Sequence, residues 1–337
     1  MNNQPFRPCL SLVAFAFSAL AISCGITSRI HAADSPPAPA LAILDTDIGD
    51  DIDDTWALGL LLKSPELDLK LVVGDYGKPE YRAKLLAKFL ERAGRTDVAV
   101  GVGFDNGVKG EAGQAAWVKD YDLKSYPGKV NSDGVQAMID TILKSDRPVT
   151  LICIGPVPNI AEALRREPRI AERARFVGMH GSVRLGYGGS PKIAAEWNVK
   201  ADPKACQKAF TAPWDMTITP LDTCGLIHLT GEKYLKVRDS KAPVASAVIE
   251  NYRIWAEARK KKDKPSAAES QSSTLFDAVA VYLAFSQGFC AMETAGLIVT
   301  DDGFTKLDPA AKPIHFAASW KDLGAFEDLL VERLTKP

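Results

Sequence analysis

The chain has 337 residues, of which 46% are hydrophobic and 25% charged, and its formal net charge is −1. This is the make-up of an ordinary globular protein with enough apolar residues for a sizeable core. Near-neutrality excludes the strong positive field that draws proteins onto nucleic acid or anionic membranes, and favours a small-molecule ligand.

The first forty residues differ from the rest. Arg7 is the only charge ahead of an apolar run over residues 10–22. The run is too short to span a bilayer comfortably and has the length of a signal-peptide core. Ile30-His31-Ala32-Ala33 then offers small residues for cleavage. Residues 1–33 therefore read as a signal peptide, 34–40 as a Pro/Ala linker and 41–337 as a single domain. The domain is expected to be exported, periplasmic or secreted, with no stable membrane span. Ala21-Ile22-Ser23-Cys24 loosely resembles a lipobox, with Ala21 where Leu is usual, so anchoring through Cys24 is the alternative. Cys153, Cys206, Cys224 and Cys290 show no CxxC spacing, which argues against a zinc knuckle, and no disulfide pairing is assigned.

In chain order, residues 41–44 read as a short buried strand that runs into a cluster of acids. An apolar helix pattern follows over 55–63, then a strand over 69–73 and a helix over 80–93 that ends at Gly94. Residues 98–100 read as a strand, 135–143 as a helix and 149–154 as a strand. A further helix begins at 160–164, and 174–179 is a strand. Strands alternating with helices predict an α/β fold with an open, mostly parallel sheet and helices on both faces. The charged run over residues 259–265 reads as a solvated loop at a helix end, with a flap over a site as the alternative. In sheets of this kind ligands bind beyond the carboxyl ends of the strands, and most of the polar clusters lie just after a strand.

The stretch from Asp45 to Asp54 carries six acids in ten residues: Asp45, Asp47, Asp50, Asp51, Asp53 and Asp54. Packing like charges together is unfavourable unless a cation neutralises them, and carboxylates are what calcium and magnesium bind. A solvated acidic turn would explain Asp50. It fits poorly for Asp45 and Asp47, which immediately follow an apolar strand.

This segment resembles the DxDPGxDD signature of the inosine-uridine preferring nucleoside hydrolase family. Four later segments resemble family motifs in the same order. Ile154-Gly155-Pro156-Val157-Pro158-Asn159-Ile160-Ala161 is similar to TGPLTNIA, and Met179-His180-Gly181 to MGG. Ala195-Glu196-Trp197-Asn198 with Asp202-Pro203 is similar to AEFN…DP, and Phe276-Asp277-Ala278-Val279-Ala280 to HDxxA. The resemblance covers roughly residues 41–285. It implies a Rossmann-like nucleoside hydrolase fold, a bound Ca²⁺ and hydrolysis of the N-glycosidic bond of a purine or pyrimidine ribonucleoside, as in nucleoside salvage.

Carried over residue by residue, the resemblance makes Asp47 a metal ligand and the general base that activates water, since a divalent cation lowers the pKa of water beside it. Asp54, the backbone carbonyl of Ile154 and Asp277 complete the metal set. Asp53 takes the sugar hydroxyls, with Asp75, Met179, Glu196 and Asn198 as further substrate contacts. Two extra residues between Gly49 and Asp53 leave the register open, so Asp51 is the alternative to Asp53. The leaving-group side departs from the family. Phe276 stands where some members have a proton-donating His, and Ser190 where they have Asn. His180, Tyr76, Tyr187 and Asp75 are candidate donors, and Phe276 or Trp255 could stack on the base; a satisfied structural role is favoured for His180, and a core or helix-surface role for Trp255. The family also implies a homo-oligomer.

The alternatives are a catalytically impaired or repurposed nucleoside-binding protein on the same scaffold, and a hydrolase of another glycoside. A DxD-type phosphatase would need a downstream Lys and acidic pair, for which no convincing partner is found, and would leave the later segments unexplained.

Overall fold

A computed structural model describes residues 38–260 and 266–337. Residues 1–37, which hold the leader, Cys24 and most of the linker, lie outside the described residues, as do residues 261–265 of the charged run. Ala40, expected to close the linker, is the first residue of a strand.

In the first half of the domain, strand and helix alternate as the sequence suggests. Strand β1 (Ala40–Thr46) is followed by α1 (Asp53–Leu62), β2 (Leu67–Gly74), α2 (Pro79–Arg92), β3 (Ala99–Gly101) and β4 (Val130–Asn131). Next come α3 (Gly134–Lys144), β5 (Val149–Cys153), α4 (Pro158–Arg166) and β6 (Ala174–Met179). The second half adds α5 (Trp197–Ala201), α6 (Pro203–Thr211), β7 (Met216–Thr219), α7 (Leu221–Cys224), α8 (Gly231–Arg238), α9 (Pro243–Arg259) and α10 (Phe276–Leu283). It closes with β8 (Cys290–Val299), β9 (Thr305–Leu307), β10 (Pro313–Trp320) and α11 (Leu323–Thr335).

The strands form one ten-stranded sheet in the order β4-β3-β2-β1-β5-β6-β7-β10-β8-β9. From β4 to β7 all pairings are parallel, and β10 joins β7 in parallel; β8 then runs antiparallel to β10, and β9 to β8. Successive side chains of a strand point to opposite faces. Ala42 and Leu44 of β1 accordingly enter one apolar core with α1, α2, α9, α10 and α11, while Ile43 enters a second core with α3, α4 and α6. Both faces of the central strands are thus covered, as a parallel sheet requires. The expected fold class is the one observed.

Strand β1 has β2 on one side and β5 on the other, so the chain winds outward to β4 and then returns across β1. The crevice at such a reversal lies beyond the carboxyl ends of the two strands, where loops diverge to opposite faces. Helix α1 is apolar all round, with Trp56, Leu58, Leu60 and Leu61 buried, so it sits within the core rather than on the surface. It packs against α10, and both helices direct their N-terminal turns to this crevice.

Candidate active site

A cavity of about 420 Å³ opens at the reversal point, a size suited to a small molecule. Its floor is acidic. Asp53 and Asp54 occupy the first turn of α1 and Asp277 the first turn of α10, where helix N-termini favour negative charge. One carboxylate oxygen from each of the three lies within 4.8 Å of the others, and all three residues are buried. Burial, and then the charge of neighbouring carboxylates, raises all three well above the usual carboxylate range. Such a group is stable only with shared protons or a cation at its centre, and its all-oxygen donors fit a hard divalent ion. The Thr46 hydroxyl donates to Asp54.

Asp47 lines the same cavity just beyond β1. Burial pushes its carboxyl up to about 7, and the nearby Arg82 guanidinium opposes the rise. Gly155, two residues beyond β5, lets the two chain segments approach: a Cβ there would lie 3.0 Å from the Asp47 nitrogen and 3.1 Å from an Asp47 carboxylate oxygen. The Ile154 carbonyl next to it accepts from Asn198 Nδ2 at 3.1 Å.

Both alternatives of the open register, Asp51 and Asp53, line the cavity. Asp53 and Asp54 begin the helix and are buried, whereas Asp51 is exposed on the cavity rim. Asp53, expected to take the sugar hydroxyls, stands within the three-carboxylate group. Asp50, also on the cavity lining, pairs with Arg82 at 3.0 Å. Arg82 is the only arginine or lysine in the buried set among the described residues. It also donates to the carbonyls of Asp47, Ile48, Tyr76 and Gly77. Nothing in the sequence pattern marked it, because an arginine inside an amphipathic helix reads as a solvated face.

Glu196 and Asn198 form the opposite wall with Met179. Glu196 caps α5, accepting from the backbone nitrogens of Asn198 at 2.8 Å, Gly181 at 2.9 Å and Val199 at 3.3 Å. Burial lifts its carboxyl to about 7 against those bonds. Asn198 Nδ2 is held by the carbonyls of Ile154 and Met179, which leaves its Oδ1 as an acceptor. The remaining wall is aromatic: Tyr76, Tyr187, Trp197 and Phe276. Phe276 meets Tyr187 edge-on with ring centroids 6.0 Å apart.

One expectation is corrected, and for two residues the favoured structural alternative is the one observed. Asp75 is not part of the cavity wall: its oxygens accept from the backbone nitrogens of Val157 at 2.8 Å and Asn159 at 3.3 Å, so it caps α4. His180 is fully buried against Phe176 and Phe210, with Nε2 on the Gly155 carbonyl at 3.1 Å, and burial lowers it to about 4. This is the buried, satisfied structural position favoured for it. Trp255 does not stack in the cavity; it lies under Arg259, 4.4 Å from the guanidinium, and donates to the Asp50 carbonyl. Arg259, read as part of a solvated run, instead ends α9 at the cavity mouth and bonds the Asp50 carbonyl and Glu111. The four cysteines of the domain are buried and free.

Fold and site together define a class: a doubly covered, mostly parallel sheet with an acid-floored cavity at its switch point, lined also by a buried carboxylate and amide. The comparisons make this specific. The family model described as inosine-uridine preferring nucleoside hydrolase matches residues 42–318. The chain is 24% identical over 298 residues to probable uridine nucleosidase 2 of Oryza sativa subsp. japonica, covering 85% of this chain and 87% of that one. It is 30% identical over 225 residues to the pyrimidine-specific ribonucleoside hydrolase RihA of Escherichia coli O81 (strain ED1a), covering 62% of this chain and 68% of the other. In fold it is similar to the purine-preferring ribonucleoside hydrolase from Gardnerella vaginalis, with a TM-score of 0.72 and 23% identity, covering 88% of this chain and 98% of that one. The chain belongs to the inosine-uridine preferring nucleoside hydrolase family and is a hydrolase of N-glycosyl compounds.

Proposed function

We propose that the protein hydrolyses the N-glycosidic bond of a ribonucleoside to ribose and free base, with Ca²⁺ as its resident cation and Asp47 as the general base. The observation that carries this reading is the convergence of Asp53, Asp54 and Asp277 on one point beside Asp47. These residues, with the Ile154 carbonyl, would hold the ion, which when bound supplies electrostatic activation of water for attack. Asp47 removes the proton from that water. A carboxylate near pH 7 in its affinity for protons suits this task, and a neighbouring cation favours its charged form. Glu196 and Asn198 accept hydrogen bonds from sugar hydroxyls and fix the anomeric carbon over the acidic floor. Phe276, Tyr187 and Trp197 offer flat apolar faces to a departing base.

The test is release of reducing sugar from inosine, adenosine and uridine by the purified chain. Activity should vanish with chelator and return with Ca²⁺. A chain that binds Ca²⁺ yet releases no sugar from any nucleoside refutes the proposal. We also propose that residues 1–33 direct export and that the enzyme assembles as a homo-oligomer. Cell fractionation and light scattering check these two readings.

A further inference from the structure

The cavity sets acids and aromatic rings side by side. Phe276 immediately precedes Asp277, so its ring flanks the acidic floor, and Tyr76, Tyr187 and Trp197 continue the aromatic wall. This wall is open to water: Tyr187 and Trp197 keep 45% and 52% of their surface exposed. Beyond the floor, the lining carries Asp51, Glu111 and Glu196 against one cationic side chain, Arg259. Arg259 is engaged by Glu111 and by the Asp50 carbonyl, and the Asp50 carboxylate by Arg82. Asp51 and Glu196 line the same space and form no ion pair among the described residues.

The described lining is poorly equipped to protonate a departing base. Asp75 and His180 lie outside it. Glu196 has both oxygens on backbone nitrogens, and Asp51 and Glu111 are exposed carboxylates at the rim. Burial raises the phenols of Tyr76 and Tyr187 above their ordinary range, which makes them weak acids. Phe276 offers a π face and no proton. A neutral base leaves as an anion unless it is protonated, a contribution of about 10²–10⁴-fold. A base that is already a cation has no such need. Its C1′–N bond breaks with the electron pair passing to the ring nitrogen, and the ring departs neutral. The water oxygen bonds C1′ and its proton passes to Asp47. Before departure the cation is attracted by carboxylates and by aromatic faces within about 6 Å.

We propose that the preferred substrates are ribosides whose base carries a fixed positive charge, the N-ribosylpyridinium class, over neutral purine and pyrimidine nucleosides. The inference rests on the proposed function and narrows it. Phe276 and the carboxylates near it select a leaving group that needs attraction rather than protonation.

The experiment measures sugar release by the Ca²⁺-loaded full chain from N-ribosyl-3-carbamoylpyridinium, its 3-carboxylate analogue, inosine and uridine. For the carbamoyl riboside, kcat/KM should exceed that for inosine and uridine by about 10²-fold or more, the size of the missing acid contribution. The 3-carboxylate analogue has nearly the same shape with its net charge cancelled. Its KM should be about threefold or more higher at low salt, with the gap closing at high salt. Phe276→His places a donor beside the floor. It should raise inosine turnover by about tenfold or more while changing the carbamoyl riboside less than about threefold. Inosine or uridine cleaved as efficiently as the carbamoyl riboside overturns the proposal, as do equal KM values for the two pyridinium ribosides. A Phe276→His protein of unchanged melting temperature that shifts inosine and the carbamoyl riboside in parallel, or shifts neither, overturns it as well. Cleavage of inosine or uridine without either pyridinium riboside removes this inference and leaves the functional reading standing. Cleavage of none of the four removes both.

Discussion

Replacing Arg82 with Met tests whether a single buried guanidinium holds the acidic loop in place. Its Nε reaches the carbonyls of Gly77 at 2.9 Å and Tyr76 at 3.2 Å, and Nη1 reaches Ile48 at 2.8 Å as well as Asp47. Nη2 pairs with Asp50 at 3.0 Å. Methionine preserves much of the stem packing but strands one carboxylate and four carbonyls. Removing one partner of a buried ion pair costs about 3–5 kcal/mol. Asp50 retains 11% side-chain exposure, so the loop can open toward water and hold the cost to that range. Against a typical total of about 5–15 kcal/mol this is a large loss. Urea unfolding in chelator reads it directly, without the contribution of a bound cation. In the double variant Asp50→Asn/Arg82→Met the uncompensated charge is gone, and about 1–2 kcal/mol should return. A loss below about 1 kcal/mol in the single variant, or no recovery in the double, refutes the argument.

Asp47→Ala should lower kcat by about 10³-fold without unfolding the chain, as measured by sugar release alongside circular dichroism. Asp277→Asn removes one of three crowded carboxylates, so the melting temperature in chelator should rise by a few degrees while the gain on adding Ca²⁺ shrinks; an unchanged Ca²⁺ shift contradicts the metal site. His180 is depressed from 6.5 to about 4 in the folded state by burial. The unfolded chain therefore binds the proton more readily, so this contribution is complete above pH 6.5 and is lost as pH falls toward 4. At pH 4.5 the loss is about 2–3 kcal/mol. Urea midpoints in chelator at pH 7.5 and 4.5 should fall less for His180→Gln than for wild type, and equal falls would falsify the assignment.

The strands from β1 to β6 were legible because strands covered on both faces are written as short apolar runs with helices between them. β4 was not, since two residues carry no periodicity. Nor was the β8–β10 region: β8 alternates buried and exposed residues irregularly, because only part of it faces the core. In the site, the acids stood out by density alone, but their division of labour depended on where α1 starts. Asp50 and Asp53 look alike in sequence, and only the helix boundary sends one to Arg82 and the other to the cavity floor. Asp75 was misread for a related reason, and the structural role favoured for His180 has the same origin. Both follow strand ends, yet backbone groups capture them before they reach the ligand space.

The acidic floor draws Asp53 and Asp54 from near the start of the domain and Asp277 from near its end. During synthesis the early carboxylates emerge long before their distant partner, and until α10 docks on α1 they have no third member to close around an ion. On the proposed reading, capture of a cation would therefore be a late event that reports completed assembly. A chain cut short before α10 would retain most of its sheet sequence and still be unable to load its metal.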